Sequence, residues 1–202
     1  MLALLLASIL AAPILASPTP FQQQNTNDIT FTPGPGLPSL ESLNLTAAEL
    51  IHSATQTNEL EKRFSAAAFS SQSLQSRQGS HDLVPKCIGA NYGEVTGIQA
   101  CALYLSNPPV GSLPCDAPTS GNIIELCSLE RKRVRSVITT RFRPFFESDG
   151  KISCFDAALA VFAILKDCTG GCDGDLCFAR GEAFAGGAAV TVYAWGNGNR
   201  LM

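Results

Sequence analysis

Hydrophobic positions are unevenly spread along the chain. Residues 1–17 are almost wholly Leu, Ala and Ile, carry no charge and end in the small pair Ala16-Ser17. This pattern predicts a secretory signal peptide, because the apolar run is shorter than the roughly 18 to 20 residues that span a bilayer. Residues 18–63 are rich in Gln, Asn, Thr, Pro and Ser. We expect them to form a disordered pro-segment, since they carry too little apolar surface to fold alone.

The end of the pro-segment carries three local signals. Thr46 and Glu49 have the spacing of a capping box, which predicts the start of a short helix. The dibasic pair Lys62-Arg63 is typical of a site cut by processing proteases of the secretory pathway, and the alternative interpretation is two ordinary solvated charges. Asn44 begins an N-glycosylation sequon, which would be discarded with the pro-segment.

The remaining residues are predicted to form one domain preceded by an arm. Residues 64–82 are rich in Ser, Gln and Ala and are expected to be flexible. Residues 83–202 contain every cysteine and the longest apolar runs, so we expect a single cysteine-rich globular domain there. Near its start, a helix capped by Thr96 is predicted to stop at Pro108-Pro109.

Period-two alternation is clearest between Arg131 and Arg143, where apolar or hydroxyl side chains alternate with basic ones. The alternation predicts an antiparallel strand with one solvated face. The arginines predicted to share that face are Arg131, Arg133, Arg135, Arg141 and Arg143. Such a face is a candidate contact surface for an anionic partner, and an ordinary solvated sheet face is the alternative. Lys132-Arg133 is a second dibasic pair, but the interior of a strand is a poor protease site.

The second half of the domain predicts a helix and a hairpin. Ser153 and Asp156 form a second capping box, and the residues after them are apolar on nearly all sides, so this helix should lie in the core. Two segments of strand character, 178–185 and 188–195, then flank a glycine pair typical of a hairpin turn. The predicted fold class is α+β: a small disulfide-stapled α/β sandwich, with one or two helices packed on one face of an antiparallel sheet.

Cysteine number and spacing predict four disulfides, since an even count in a secreted chain is typical of a disulfide framework. The residues are Cys87, Cys101, Cys115, Cys127, Cys154, Cys168, Cys172 and Cys177. A zinc site is disfavoured because paired C-x-x-C units are missing and the chain after Lys62-Arg63 has one histidine, His81. Connectivity stays open except for one pair. Cys154 and Cys168 frame the predicted helix, where they would lie ~21 Å apart, too far for a bridge.

Charge and missing motifs exclude several functions. From Phe64 onward the chain has twelve basic and twelve acidic residues, which argues against a general nucleic-acid or membrane-surface binder. Stable membrane insertion is not expected, because no segment after residue 17 is a better candidate for a membrane span. A catalytic histidine pair is unavailable, and no motif for a cofactor or a metal occurs. Glu147, Asp149 and Asp156 are candidates for carboxylate catalysis by a small extracellular hydrolase, although a polar turn and a helix cap explain them better.

Residues 155–193 combine an apolar helix, a glycine-containing loop between Cys168 and Cys172, and a strand in which Gly187 precedes Val190–Ala194. This layout resembles the C-terminal half of the virus-encoded killer toxins of smut fungi, within the wider group of fungal secreted cysteine-rich effectors. The loop is one residue wider than in that family. The resemblance implies a small α/β sandwich that inhibits growth of a target cell by interfering with calcium channels, with basic surface residues as contacts.

These patterns together predict a secreted, extracellular and monomeric protein without a cofactor. It would be a non-enzymatic effector or killer-toxin-like protein that acts on a host or competitor cell surface or channel. The alternative is the small extracellular hydrolase. A hydrophobin is disfavoured because the eight cysteines include no adjacent pair.

Overall fold

The computed structural model describes residues 29–56, 85–88, 91–116, 123–142, 151–174, 176–185 and 190–197. Its helices are α1 (Ala47–Thr55), α2 (Val95–Ser106) and α3 (Cys154–Cys168), with short 3-10 turns at Glu41–Leu43 and Val110–Ser112. Its strands are β1 (Ile29–Pro33), β2 (Gly93–Glu94), β3 (Ile123–Arg131), β4 (Val134–Phe142), β5 (Thr169–Asp173), β6 (Leu176–Ala179), β7 (Gly181–Ala185) and β8 (Val190–Gly196).

The strands form two antiparallel sheets. The larger has the order β1-β3-β4-β8-β7, and the smaller has the order β2-β6-β5. Helices α2 and α3 pack against each other and against the larger sheet, and α1 packs on α2. The predicted α+β class is confirmed, while the second sheet was not anticipated. The segment 178–185, predicted as one strand, is divided at Arg180 between the two sheets.

The core lies between the larger sheet and the paired helices. Helix α3 begins with the predicted capping box, in which the Asp156 amide donates to Ser153 Oγ over 3.1 Å and the Ser153 amide donates to Asp156 Oδ2 over 3.1 Å. Small buried residues on α3 let it approach its neighbours closely, as Ala157, Ala158 and Ala160 are all fully buried. Helix α2 begins at Val95 after Glu94, so the predicted cap at Thr96 is wrong.

Four disulfides tie these elements together, as predicted. Two of them anchor opposite ends of α3, one joins α2 to β3, and one closes the β5–β6 hairpin. The pairs and their Cα–Cα distances are Cys87–Cys168 at 5.1 Å, Cys101–Cys127 at 6.0 Å, Cys115–Cys154 at 4.8 Å and Cys172–Cys177 at 4.0 Å. The exclusion of a Cys154–Cys168 bridge is confirmed, since both residues belong to α3 and pair elsewhere.

Residues 29–56 are part of the folded domain, so the predicted disorder of the pro-segment is wrong for this stretch. Strand β1 pairs with β3, and α1 buries Leu50, Ile51 and Ala54 in the core. The physical reason is that a segment too polar to fold alone still gains stability when its few apolar residues pack on another domain. The capping box of Thr46 and Glu49 is confirmed.

Other predictions for the N-terminal part fall outside the described residues. They are the signal peptide over 1–17, the rest of the pro-segment with Lys62 and Arg63, and the arm over 64–82. Asn44 is described. Asn44 is exposed and ends the first 3-10 turn with a φ of 52°. Its backbone N–H donates a hydrogen bond to the Glu41 carbonyl over 3.0 Å.

A tight turn interrupts the strand that was predicted from Arg131 to Arg143. Lys132 and Arg133 have φ values of 50° and 65°, and they link the end of β3 to the start of β4. Positive φ at both central residues is typical of the two-residue hairpin turns that match strand twist. Arg131 therefore belongs to β3, and the Lys132-Arg133 pair lies in an exposed turn instead of a strand interior.

Tyr104 of α2 joins the helix layer to residues 29–56. Its side chain is fully buried, its hydroxyl donates to the Pro38 carbonyl over 2.6 Å, and its ring packs edge-on against Phe31 at 4.9 Å between centroids. Burial raises the pKa of Tyr104 to about 12, because the interior solvates a phenolate poorly.

This raised pKa predicts a loss of stability in alkaline solution. In the unfolded chain the Tyr104 hydroxyl loses its proton at about pH 10, whereas in the folded protein it keeps the proton until about pH 12. The contribution of this group to the free energy of unfolding is therefore fully present below about pH 10 and is lost as the pH rises to about 12. We expect the free energy of unfolding to fall more steeply over this window in the wild type than in Tyr104→Phe. Denaturant titrations at about pH 9 and about pH 11 measure the difference. Parallel slopes in the two proteins would contradict it.

Candidate functional site

The larger sheet has one face turned away from the helices. Ile138 of β4 lies in the core, so the residues on either side of it, Val137 and Thr139, point to the opposite face. Directly opposed residues share a face, which places Tyr193 beside Thr139 and Trp195 beside Val137. We call this the outer face of the sheet.

A groove of about 320 Å³ lies on the outer face, near the end of β4. Its walls come from β3, β4, β7 and β8 and from the short segments around residues 88 and 91. The lining residues on which its chemistry depends are Ile88, Ile123, Thr139, Arg141, Tyr193 and Trp195. We call this feature the sheet groove.

Exposed apolar side chains converge on the sheet groove. Within the part of the chain that the structure describes, the exposed large hydrophobic residues are Ile88 at 50%, Ile123 at 60% and Trp195 at 37%. All three line the groove. Isolated exposed hydrophobic residues are ordinary, but a cluster in one concavity is typical of a binding site.

Arg141 supplies the positive charge of the groove. Arg141 is exposed and lies opposite Ile123 of β3. Among the described residues, no carboxylate lies within ion-pairing distance of it. A guanidinium with free donors binds carboxylate or phosphate groups well, because its planar fork matches their oxygen geometry.

The other predicted arginines have different environments, so the prediction that all of them share one basic face is wrong for Arg131 and Arg133. Arg131 lies on the helix side of the sheet and forms a bidentate ion pair with the buried carboxylate of Glu94. Arg135 lies on the outer face but pairs with Glu125 at 2.8 Å. Arg133 occupies the hairpin turn. Arg143 lies outside the described residues.

The position of Ile88 depends on two attachments of its short segment. The adjacent Cys87 is bonded to Cys168 at the end of α3. Lys86 pairs with Glu182 of β7 through two backbone hydrogen bonds of 2.7 and 2.9 Å. These two links hold Ile88 beside the larger sheet, although Ile88 is distant in sequence from the strands that form the groove.

Sequence reasoning missed the apolar part of the groove. Tyr193 and Trp195 alternate along β8 and therefore share a face, and this spacing was the available signal. Ile88 and Ile123 carried no such signal, because only the tertiary fold brings them to β8.

Of the three candidate catalytic carboxylates, the structure describes Asp156 alone. Asp156 accepts hydrogen bonds from the amide of Ser153 over 3.1 Å and from its hydroxyl over 2.7 Å, which is a capping role. Glu147 and Asp149 lie outside the described residues. Within the described ranges, no group of three or more His, Cys, Asp or Glu side chains is arranged to hold a metal ion.

Comparison of the chain with protein-family models, with curated proteins and with solved structures finds no match. Over the described residues, no helix has both the length and the apolar character needed to cross a membrane. The chemistry of the sheet groove and the disulfide framework are therefore the features of the molecule that bear on its function.

Proposed function

We propose that the protein is a secreted, non-enzymatic effector, similar to the killer toxins in its mode of action, that binds a host or competitor cell surface or channel. Its ligand in this proposal is a surface group that combines apolar area with an anionic group. Four disulfides support the extracellular setting, because such bridges persist in oxidising compartments.

One observation carries the proposal: Ile88, Ile123 and Trp195 meet Arg141 in a single concavity, and among the described residues no carboxylate pairs with this arginine. Aromatic side chains such as Trp195 and Tyr193 offer large contact area at low conformational cost, and residues of this kind dominate binding energy in interfaces. Arg141 adds a preference for a negatively charged group. Such a groove suits recognition, since a few polar groups in an apolar concavity fix the orientation of a ligand.

The binding role predicts large effects from two substitutions. Trp195→Ala and Arg141→Glu are each expected to weaken attachment of fluorescently labelled protein to sensitive cells by about tenfold or more, the loss typical of central contact residues. Flow cytometry over a concentration series of the purified, secreted protein measures the affinity, and growth inhibition measures the biological effect.

Arg133→Glu is the control, because it makes the same charge change in the exposed hairpin turn, outside the groove. It is expected to bind like the wild type. Equal losses for Arg133→Glu and Arg141→Glu would indicate general electrostatic attraction, and wild-type binding by Trp195→Ala would reject the groove as the binding site.

A further inference from the structure

The contact between residues 29–56 and the cysteine-rich domain has the features of a docked peptide. We propose that the cysteine-rich domain carries a docking surface for residues 29–56, and that it holds this segment as a non-covalent second chain when the polypeptide between them is cut. This inference is independent of the sheet groove and of the proposed function. Its evidence is a strand ladder, a close backbone contact and a shared apolar core.

The strand ladder lies at an edge of the larger sheet. All five residues of β1 pair with β3, from Ile29 opposite Arg131 to Pro33 opposite Cys127. Without β1, the outer edge of β3 would present unpaired amide and carbonyl groups. Adding an extended peptide to such an edge is a common mode of peptide recognition, in which main-chain hydrogen bonds supply much of the affinity.

A close backbone contact follows directly after β1. The Gly34 amide donates to the Leu126 carbonyl over 2.8 Å. A Cβ atom at Gly34 would lie 2.7 Å from the Leu126 carbonyl oxygen and closer still to that of Glu125. Only glycine fits against this backbone without a shift, so the segment is seated in a defined register.

Apolar side chains of the segment complete the core of the domain. The buried cluster that contains the residues of α2 also contains Leu50, Ile51 and Ala54. The Tyr104 hydroxyl adds a hydrogen bond to the Pro38 carbonyl. If the segment left, the fully buried Tyr104 would face water together with the apolar face of α1. Separation therefore exposes apolar surface on both partners, which favours retention.

No covalent link supplements these contacts. The first cysteine is Cys87, so residues 29–56 have none to share in a bridge, and the four described bridges all join residues after the dibasic pair. Lys62-Arg63 stands between the segment and Cys87 in the sequence. A cut there would yield two chains without a disulfide between them, so non-covalent contacts such as those of the docking surface would have to hold them together.

The test replaces Lys62-Arg63 by the recognition sequence of a site-specific protease and cuts the purified full-length secreted protein. Native mass spectrometry and size-exclusion chromatography are expected to show both pieces in one 1:1 complex. Denaturant without reductant should separate them. Two pieces that separate in native buffer after cutting would overturn the proposal.

Two substitutions on α1 give a matched comparison. Ala54 is fully buried whereas Ala48 is exposed. Ala54→Asp therefore places a carboxylate in the contact, and Ala48→Asp makes the same chemical change on the solvent-exposed side of the same helix. After cutting, Ala54→Asp is expected to raise the dissociation constant at least about 100-fold, because it places a carboxylate without a partner in the apolar contact, while Ala48→Asp retains the segment. Leu50→Ala, a milder truncation of a buried side chain, replaces Ala54→Asp if the latter is unfolded before cutting. If Ala54→Asp and Ala48→Asp retain the cut segment equally well, the proposed docking surface is wrong.

Discussion

Arg131→Met is expected to lower the free energy of unfolding by about 3–5 kcal/mol, because it leaves the Glu94 carboxylate buried without a partner. The side chain of Glu94 is 1% exposed and that of Arg131 15%. Arg131 Nε donates to Glu94 Oε2 over 3.1 Å, and Nη2 donates to the other carboxylate oxygen. A carboxylate in this position loses its hydration on folding and depends on the guanidinium for compensation.

The location of this ion pair adds to the expected effect. Glu94 is the last residue of β2 and directly precedes α2, and its carbonyl accepts from the Ser136 hydroxyl over 3.1 Å. The pair therefore connects the smaller sheet, α2 and the end of β3. Guanidinium titration followed by the fluorescence of Trp195, the single tryptophan of the chain, measures the change.

Two further variants separate the buried pair from general charge effects. Arg135→Met breaks the Arg135–Glu125 pair, whose side chains are 45% and 31% exposed, and is expected to cost about 1 kcal/mol or less. The double variant Glu94→Met/Arg131→Met removes both buried charges and is expected to be more stable than Arg131→Met alone. A loss from Arg131→Met no larger than that from Arg135→Met would refute the argument.

Local signals explain which elements could be predicted from the sequence. The capping boxes at Thr46 and Ser153 depend on residues three positions apart, so the starts of α1 and α3 were visible without tertiary information. The length of the apolar helix likewise decided that Cys154 and Cys168 pair elsewhere. The class of the fold followed from these helices and from the alternating segments.

The missed elements depend on partners that are distant in sequence. Strand β1 is only five residues long and lies in a polar stretch, so its alternation of half-buried Ile29 and Phe31 with exposed residues was too short to stand out. The turn at Lys132-Arg133 lacks the Gly, Asn or Asp that usually marks positive φ, and the alternation of β4 was therefore extended through it. This error placed Arg131 on the outer face and hid its role beside Glu94.

The disulfide at Cys87 connects stability with the sheet groove, and its removal should affect both. The cysteines of Cys87–Cys168 are 81 residues apart in the sequence, whereas those of Cys172–Cys177 are 5 residues apart. In the chain-entropy model, bridges over these separations stabilise by about 4.5 and about 2 kcal/mol respectively. We expect losses of this order for Cys87→Ala/Cys168→Ala and Cys172→Ala/Cys177→Ala, measured by denaturant unfolding under oxidising conditions.

Cell binding should distinguish the two bridge variants more sharply than stability does. Loss of the bridge at Cys87 frees one of the two attachments that place Ile88 in the sheet groove. None of the described residues of the Cys172–Cys177 hairpin lines the groove. At a temperature where both variants are folded, we expect weaker attachment to cells for Cys87→Ala/Cys168→Ala and wild-type attachment for Cys172→Ala/Cys177→Ala. If both variants bind like the wild type, the Lys86–Glu182 pairing is sufficient to hold Ile88, and the bridge serves stability alone. Weaker binding by the hairpin variant would instead locate the contact surface on the smaller sheet.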